Sequence, residues 1–328
     1  HIVDVTVPSA IGAGSFLGTI GTATLTTAPA EIAGGRVDAL AVVDSIYLVC
    51  VAVGASDANG NSITVFDLPT VQVILGGGPP FDFSTALFPT TVPAGILATG
   101  NADGKAGGVS GANATFLVAT GGSALGVGVI DPATRMWTPG TPVTATVPPV
   151  DHWLDVAVTG TNGYASVDSG GSFGVLALTL LPAPALAAGN LLPVTGAFGT
   201  LGGDPIAGPG NFALDLAVDG NTLLVSGDDE VVSFDISSPA APVPGVPATA
   251  TGLDTIAVAA QGGDLAVGAG DAVRIYQRPF GPPTLTAEFG FTSPITIRGV
   301  ALRPAPGGNF VLCCGGTRGL RVVQWSGA

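Results

Sequence analysis

Charge is what this chain has least of. Only 10% of its 328 residues are Asp, Glu, Lys or Arg, against roughly 25% in an average globular domain. Lys105 is the single lysine, and the formal net charge is −14 at pH 7. Binding to nucleic acid needs a surface that neutralises phosphates. The composition therefore excludes nucleic acid as a partner and disfavours anionic membranes.

Uninterrupted apolar runs are also missing. The best one, at 175–192, is broken by Pro182 and Pro184 and is too short for a transmembrane helix, so we expect no membrane span. The first ten residues lack a signal-peptide pattern. We expect His1 to follow a cleaved signal or to be a remnant of processing or of a tag. With so little lysine, we predict an extracellular or cell-surface protein in its mature form.

Reactive side chains are few. The three cysteines, Cys50, Cys313 and Cys314, are an odd number and lie in apolar runs, so we interpret them as buried small hydrophobic residues, with a vicinal bridge or a reactive thiol as alternatives. The only histidines are His1 and His152. The sequence has no serine nucleophile elbow, no HExxH and no P-loop. These scarcities favour a non-enzyme and predict no cofactor beyond a weakly supported divalent cation such as Ca²⁺.

Glycine and proline, in contrast, are abundant, with 51 and 27 residues. Together with Val and Thr they predict many short strands joined by turns, and we find no amphipathic helix. The chain also repeats. LDLAVDGNTLLVSG (214–227) leads into VVSFDIS (231–237), and similar units begin near 37, 106, 154, 253 and 297. Six units of about 55 residues predict a β-propeller.

We therefore predict an all-β fold consisting of a single β-propeller domain over 1–328. The predicted blades are 30–100, 101–150, 151–208, 209–250, 251–295, and 296–328 together with 1–29. The last unit stops after its third strand, whereas IVDVTV (2–7) is strand-like, so we expect an N-terminal strand to complete the last blade and close a six-bladed ring. A seven-bladed ring, with a degenerate blade around FDFSTALF (81–88), is the alternative.

The unit at 214–245 resembles the LVIVD repeat of secreted and surface bacterial propellers. Its third strand ends in Phe234-Asp235-Ile236-Ser237 followed by Pro239. The closing motif is matched by Phe66-Asp67-Leu68-Pro69, in part by Ile130-Asp131-Pro132, and by IVDVTVP at 2–8, whereas the blades that end in YQRP and VVQW depart from it. The resemblance implies an architecture and carries no catalytic residue.

One set of acidic residues recurs with the repeat. Asp38, Asp155, Asp215 and Asp254 each come near the start of the first strand of a unit. In a ring they would encircle one mouth of the central channel, with His152 and Arg298 nearby. They either bind a cation or ligand or accept hydrogen bonds from neighbouring backbone N–H groups.

Other polar features are weaker. Asp57, Asn59 and Asn61 alternate as in calcium loops, but Ser62 and Leu68 stand where such loops have Gly and Glu, and a plain hairpin turn explains them as well. We interpret the acidic run 228–230 as a solvated turn. Asn113-Ala114-Thr115 is a glycosylation sequon.

Three functions follow. The leading hypothesis is a non-enzymatic extracellular interaction or self-assembly module, which associates with itself or with other surface proteins and forms filaments if a neighbouring copy supplies the missing strand. A metal-dependent hydrolase of the lactonase or esterase kind, using the acidic ring, is the second. A small-molecule or glycan binder, using the insertions at 70–104 and 183–210, is the third.

Overall fold

The structure is a computed structural model. It describes residues 2–3, 16–18, 36–53, 61–76, 84–88, 96–97, 108–145, 150–169, 172–180, 185–186, 192–193, 215–226, 231–239, 242–244, 255–269, 271–277, 284–290, 297, 299–305, 308–314 and 320–325.

The fold is all-β, as predicted, and is built from several antiparallel sheets. The chain divides into two compact units, which we describe separately. The first consists of His1–Gly170 and Leu178–Ala187, and the second of Gly171–Ala177 and Ala188–Ala328.

The first unit opens with a two-stranded pair, β1 (Ile2–Val3) and β2 (Phe16–Gly18). The first large sheet follows, in the order β3-β4-β5-β6, with β7 also pairing β5. Its strands are β3 (Arg36–Val43), β4 (Tyr47–Val53), β5 (Asn61–Asp67), β6 (Leu87–Phe88) and β7 (Ile96–Leu97), and helix α1 (Leu68–Gly76) and a 3-10 helix (Ser84–Ala86) lie between β5 and β6.

The second and third sheets repeat this meander. The second is β8 (Gly108–Ala112), β9 (Thr115–Ala119), β10 (Gly126–Asp131) and β11 (Met136–Pro139). The third is β12 (His152–Thr159), β13 (Asn162–Ser169), β14 (Ser172–Thr179), β15 (Ala185–Leu186) and β16 (Leu192–Pro193), with β16 pairing β14. The division between the two units falls within β14.

The second unit holds three further meanders. The fourth sheet is β17 (Leu216–Asp219), β18 (Thr222–Ser226), β19 (Val231–Asp235) and β20 (Val243–Pro244). The fifth is β21 (Thr255–Gln261), β22 (Asp264–Ala269), β23 (Ala272–Gln277) and β24 (Thr284–Gly290). The sixth is β25 (Gly299–Ala305), β26 (Gly308–Cys314) and β27 (Leu320–Trp325).

Tight turns set the register of these meanders. In the fourth sheet Asp219 pairs with Thr222, so Gly220 and Asn221 are the two loop residues of a hairpin. Gly220 has a φ of +58°, which glycine adopts without steric cost. Each large sheet lies inside one of the six predicted segments. Leu87–Phe88, where a seventh blade was the alternative, pairs with β5 of the first sheet.

Successive sheets pack through their first strands. In the first unit β3 contacts β8, and β8 contacts β12; in the second β17 contacts β21, and β21 contacts β25. The residues of the first two sheets form one apolar cluster around the buried Phe116 and Trp137. Their rings meet edge to face, with centroids 5.7 Å apart. Because both faces of these sheets are apolar, each sheet needs a neighbour to cover it.

Helix α1 is an element that the sequence pattern did not predict, since the chain shows no amphipathic helix. Asp67 ends β5 and caps α1, since its Oδ2 accepts from the backbone N–H of Thr70 at 3.0 Å and from the Thr70 hydroxyl. Such a carboxylate satisfies N–H groups that the first helical turn leaves unpaired. Val71 packs with Cys50, Phe66 and Ala86, so burial against the first sheet stabilises a helix too short to be stable alone.

The predicted strand closure is not among the described pairings. β1 pairs with β2, and β27 pairs with β26. Completion of the sixth sheet by an N-terminal strand stays a prediction.

We predict that Gly128→Ala destabilises the protein by about 1–3 kcal/mol. Gly128 lies opposite Phe116 on the neighbouring strand, and a Cβ there would lie 1.9 Å from the ring carbon Cζ of Phe116. Denaturant unfolding measures the loss. In Gly290→Ala the new methyl meets nothing within 4 Å, so this control should stay within about 0.5 kcal/mol of the parent. Equal stability of the two variants would contradict the packing of Phe116 on Gly128.

Candidate functional site

Two of the predicted channel-mouth aspartates occupy the same register. Asp155 lies four residues before Thr159, the last paired residue of β12, and Asp215 lies four residues before Asp219, the last paired residue of β17. Asp38 lies five residues before Val43 and is the unpaired residue of a bulge in β3. Bulges at the same five-residue distance from the hairpin interrupt β12 at Leu154 and β21 at Ile256. The register therefore relates Asp38 to Leu154 rather than to Asp155.

Asp215 connects the fourth sheet to the fifth. Its Oδ2 accepts from the backbone N–H of Val258 in β21 at 2.8 Å. Its own N–H donates to the Ser226 hydroxyl at 2.8 Å, and its carbonyl accepts from the Ser226 N–H at 3.0 Å. The carboxylate thus satisfies a backbone donor of the next sheet, which is the structural one of the two predicted roles.

Asp155 has a different environment. It is buried, with 8% of its surface exposed. A Cβ at Gly108, in the first strand of the second sheet, would lie 1.6 Å from Asp155 Oδ1 and 3.4 Å from the backbone nitrogen of Val156. Gly108 has the register of Asp155 and Asp215, four residues before the last paired residue of its strand. At this register position the fourth sheet has Asp215, whose carboxylate contacts the next sheet. The second sheet has Gly108, and the Asp155 carboxylate of the third sheet occupies the space beside it.

His152 is exposed and lies at the start of β12. Its Nδ1 is 2.7 Å from the carbonyl oxygen of Gly121, and the backbone groups of Trp153 bond to Gly121 and Gly122 of the same loop. The indole Nε1 of Trp153 donates to the Ser123 carbonyl at 3.2 Å. His152 therefore helps to hold a loop of the second sheet against the third.

Of the remaining predicted site residues, the structure describes two by their backbone and does not describe the others. Asp254, Arg298, Asp57 and Asn59 lie outside the described residues, as does the acidic run 228–230. For Asp38 and Asn61 the structure describes the backbone, in β3 and β5. Within the described part of the chain, no three or more His, Cys, Asp or Glu side chains are grouped so that they could hold a metal ion.

Two aspartates that the sequence analysis did not single out bridge neighbouring sheets. Asp44, in the loop after β3, accepts from the backbone N–H groups of Asn113 at 2.8 Å and Ala114 at 2.6 Å. Asp219, at the end of β17, accepts from Gly262 at 3.0 Å and Gly263 at 2.8 Å. We call these two arrangements the aspartate bridges.

The aspartate bridges depend on the turns that donate the N–H groups, because the residues of these turns have left-handed backbone conformations. Asn113 and Ala114 both have φ of +54°, and Gly262 and Gly263 have +63° and +90°. Successive residues of this kind direct their N–H groups to one side, where they form an anion-binding concavity. Asn113 Nδ2, within the sequon, also donates to the Gly160 carbonyl in the third sheet at 3.0 Å. Both aspartates lie at or directly after the end of a first strand, which is the sequence feature that the two bridges share.

The closing motif of the repeat also has a local physical role. In the second sheet Asp131 accepts from the Ala133 N–H at 2.9 Å and the Thr134 hydroxyl at 2.7 Å. In the fourth, Asp235 accepts from the Ser237 N–H at 2.8 Å. These are Asx turns, which end the third strand and reverse the chain.

The cysteines are buried where the structure describes their side chains. Cys50 is a free thiol, and burial raises its pKa to about 12, so it is a poor nucleophile at neutral pH. Cys313 packs in the apolar cluster of the fifth and sixth sheets. The interpretation as buried hydrophobic residues is confirmed for both.

No helix in the described ranges is long and apolar enough to cross a membrane.

No protein-family model matches the chain, and no curated protein matches it. Among solved structures the chain is similar to "KlHsv2 with loop 6CD replaced by a Gly-Ser linker", with a TM-score of 0.49, 11% identity and coverage of 88% of this chain and 78% of that one. It is also similar to the extracellular domain of a putative hybrid two-component system, BT4673, from B. thetaiotaomicron, with a TM-score of 0.49, 13% identity and coverage of 89% of this chain and 33% of that one.

The structural role of Asp215 makes a prediction about two substitutions. Asp215→Ala should lower the free energy of unfolding by about 1–3 kcal/mol, because the Val258 N–H loses its acceptor. Asp215→Asn keeps one acceptor oxygen and should lose clearly less. Chemical denaturation with and without a chelator distinguishes the roles: equal losses in both variants, with a parent destabilised by the chelator, would show that Asp215 binds a cation instead.

Acid should weaken the turns after the third strands. The Thr134 hydroxyl and then the Ala133 N–H lower the pKa of Asp131 below its ordinary 3.8, and the Ser237 N–H and hydroxyl lower that of Asp235. Because these pKa values are lowered in the folded state, their contribution to stability is complete above pH 3.8 and is lost as pH falls through the lower folded values. Melting temperature measured against pH should fall less steeply in Asp131→Asn/Asp235→Asn, and an unchanged slope would contradict this.

Proposed function

We propose that this chain is a six-bladed β-propeller of the LVIVD-like kind, which works outside the cell or on its surface as a non-enzymatic self-assembly module. The six meanders would be its blades, and the face of the first blade that the second blade leaves open would pack on a second copy instead of on the sixth blade of the same chain. Three observations support the blades: the four-stranded order repeated in five of the described sheets, the packing of first strand on first strand within each unit, and the aspartate bridges. The extracellular location is inferred from composition.

The observation that carries the assembly proposal is an exposed apolar stripe on β3. Leu40 and Val42 expose 60% and 53% of their surface. Alternate residues of a strand face opposite sides of the sheet, and on the other side of β3 Val43 is fully buried in the cluster shared with the second sheet. The two faces of β3 therefore have the same apolar chemistry, and the described residues of the first unit cover only one of them.

Helix α1 covers a different part of the exposed face. Cys50 and Phe66, on the second and third strands of the sheet, pack under Val71 of α1. The strand β3 itself stays open at Leu40 and Val42. Each buried Leu or Val side chain stabilises by about 1.5–3 kcal/mol, so covering this stripe is favourable, and a second sheet is the surface that fits it.

The sixth sheet offers a complementary feature. Within the described part of the chain, β27 has β26 as its only strand partner. An edge of this kind presents unpaired N–H and C=O groups to another strand, and strand addition is a recurrent way to join chains. A contact between unlike surfaces of identical copies extends into a filament unless the rotation closes.

A second copy suits these surfaces better than a charged partner. With 10% charged residues, the surface has few groups for electrostatic steering. Contiguous apolar surface that a monomer leaves exposed marks an interaction site.

We predict that Leu40→Lys/Val42→Lys abolishes self-association. Two lysines cannot be buried between sheets without unpaired charge. Light scattering should give a particle mass that rises with concentration for the parent protein, and a mass near 31.9 kDa for the double variant.

Val73→Lys is the matched control. Val73 lies on α1 and is 75% exposed, outside the proposed interface, and this variant should associate like the parent. Circular dichroism checks that each variant is folded. A parent that stays monomeric at high concentration would refute the proposal, as would a double variant that associates like the parent.

A further inference from the structure

Two polar side chains are buried side by side on the fifth sheet. Arg274 and Tyr276 are two residues apart in β23 and so share a face. Tyr276 lies opposite Leu265 and Arg274 opposite Val267 on the neighbouring strand. Tyr276, Leu265 and Val267 pack with Leu224 and Val231 of the fourth sheet. The pair therefore lies at the interface between the fourth and fifth sheets.

Only part of the hydrogen-bonding capacity of this pair is used. Arg274 Nε donates to Glu288 Oε2 at 2.7 Å, the side chain of Arg274 is 9% exposed and that of Glu288 46%. Arg274 Nη1 and Tyr276 Oη are both buried and have no hydrogen-bond partner among the residues that the structure describes. A buried donor without an acceptor is strongly unfavourable, and here two of them belong to residues on the same face of β23.

The charges nearby indicate what the missing acceptor is. The positive charge of Arg274 is already paired with Glu288, so an added anion would leave an uncompensated negative charge in an apolar interface. Burial raises the pKa of Tyr276, with smaller opposing contributions from Arg274 and Glu288, so the hydroxyl is protonated at neutral pH and available as a donor. A neutral oxygen acceptor fits this environment.

We propose that an internal water molecule is bound here and bridges Arg274 Nη1 and Tyr276 Oη between the fourth and fifth sheets. Buried waters hold positions of this kind, where two or more polar groups face a space that protein atoms do not fill. The water links Arg274, and through it Glu288 of β24, to the face that packs on the fourth sheet. This binding site is independent of the proposed assembly function.

The sign of one stability change tests the site. If the water is present, Tyr276→Phe removes a hydrogen bond and should lower the melting temperature by about 2 °C or more. If the Tyr276 hydroxyl is unsatisfied, the same substitution removes a desolvation penalty and should raise the melting temperature. A rise or no change overturns the proposal.

Tyr164→Phe is the control. The Tyr164 hydroxyl is also buried without a partner among the described residues, and burial raises its pKa. This substitution should not lower the melting temperature. An equal fall in both variants would show a general effect of removing a tyrosine hydroxyl and would overturn the proposal.

A crystal structure at a resolution that shows waters decides the question without any variant. An oxygen peak within hydrogen-bonding distance of both Arg274 Nη1 and Tyr276 Oη supports the site. Electron density for an anion at this position would overturn the proposal of a neutral acceptor. So would a rise in melting temperature with formate or chloride at constant ionic strength, if Tyr276→Phe abolishes that rise. A protein side chain found at the position of the proposed water would also overturn the proposal.

Discussion

The structure depends on one constraint: its sheets are apolar on both faces. A sheet of this composition cannot be stable with one face in water, so each meander has to be covered by the next. Phe116 and Trp137 on one side of the first interface, and Val43 and Val49 on the other, show what such an interface contains. Small residues in the first strands allow the sheets to approach closely, as Gly108 does beneath the Asp155 carboxylate.

Apolar packing alone does not fix how one sheet is placed along the next, and here hydrogen bonds between sheets contribute. Asp215 reaches the Val258 N–H, and Ser110 accepts from the Val158 N–H at 3.0 Å. Each position can be counted back from the last paired residue of its strand, next to the hairpin. In both cases the acceptor residue lies one position farther from that residue than the donor residue does. The Asp219 bridge joins the same two hairpins as Asp215 at their tips, and the Asp44 bridge joins the tip of the first hairpin of the first sheet to that of the second. Many of the few acidic side chains described here are therefore used as structural acceptors.

Much of this architecture could be predicted from the sequence, because repetition makes it visible. The all-β class followed from abundant Gly and Pro among Val and Thr residues and from the six repeated units. The position of Asp38 did not follow, because an unpaired residue in a bulge shifts the apparent phase by one without changing composition. Helix α1 was missed because its stability comes from packing on Phe66 and from the Asp67 cap, both of which depend on tertiary contacts.

The candidate site was harder to predict than the fold. An aspartate near the start of a strand looks the same in sequence whether it binds a cation or accepts a backbone N–H. Around Asp215 the structure shows a carboxylate that accepts a backbone N–H of the next sheet. Asp44 and Asp219 could not be recognised, because their partners lie in another repeat, 69 and 43 residues away for the first contact of each.

The first hairpins of two pairs of neighbouring sheets, the first with the second and the fourth with the fifth, are bonded to each other through carboxylates. Amide hydrogen exchange tests this at the donor turns, where Asn113, Ala114, Gly262 and Gly263 would otherwise exchange as exposed loop residues. We predict that these four amides are protected to the level of the adjoining strands, and that Asp44→Ala and Asp219→Ala each release only their own pair. Exchange of all four at the rate of unprotected loops in the parent protein would contradict the account.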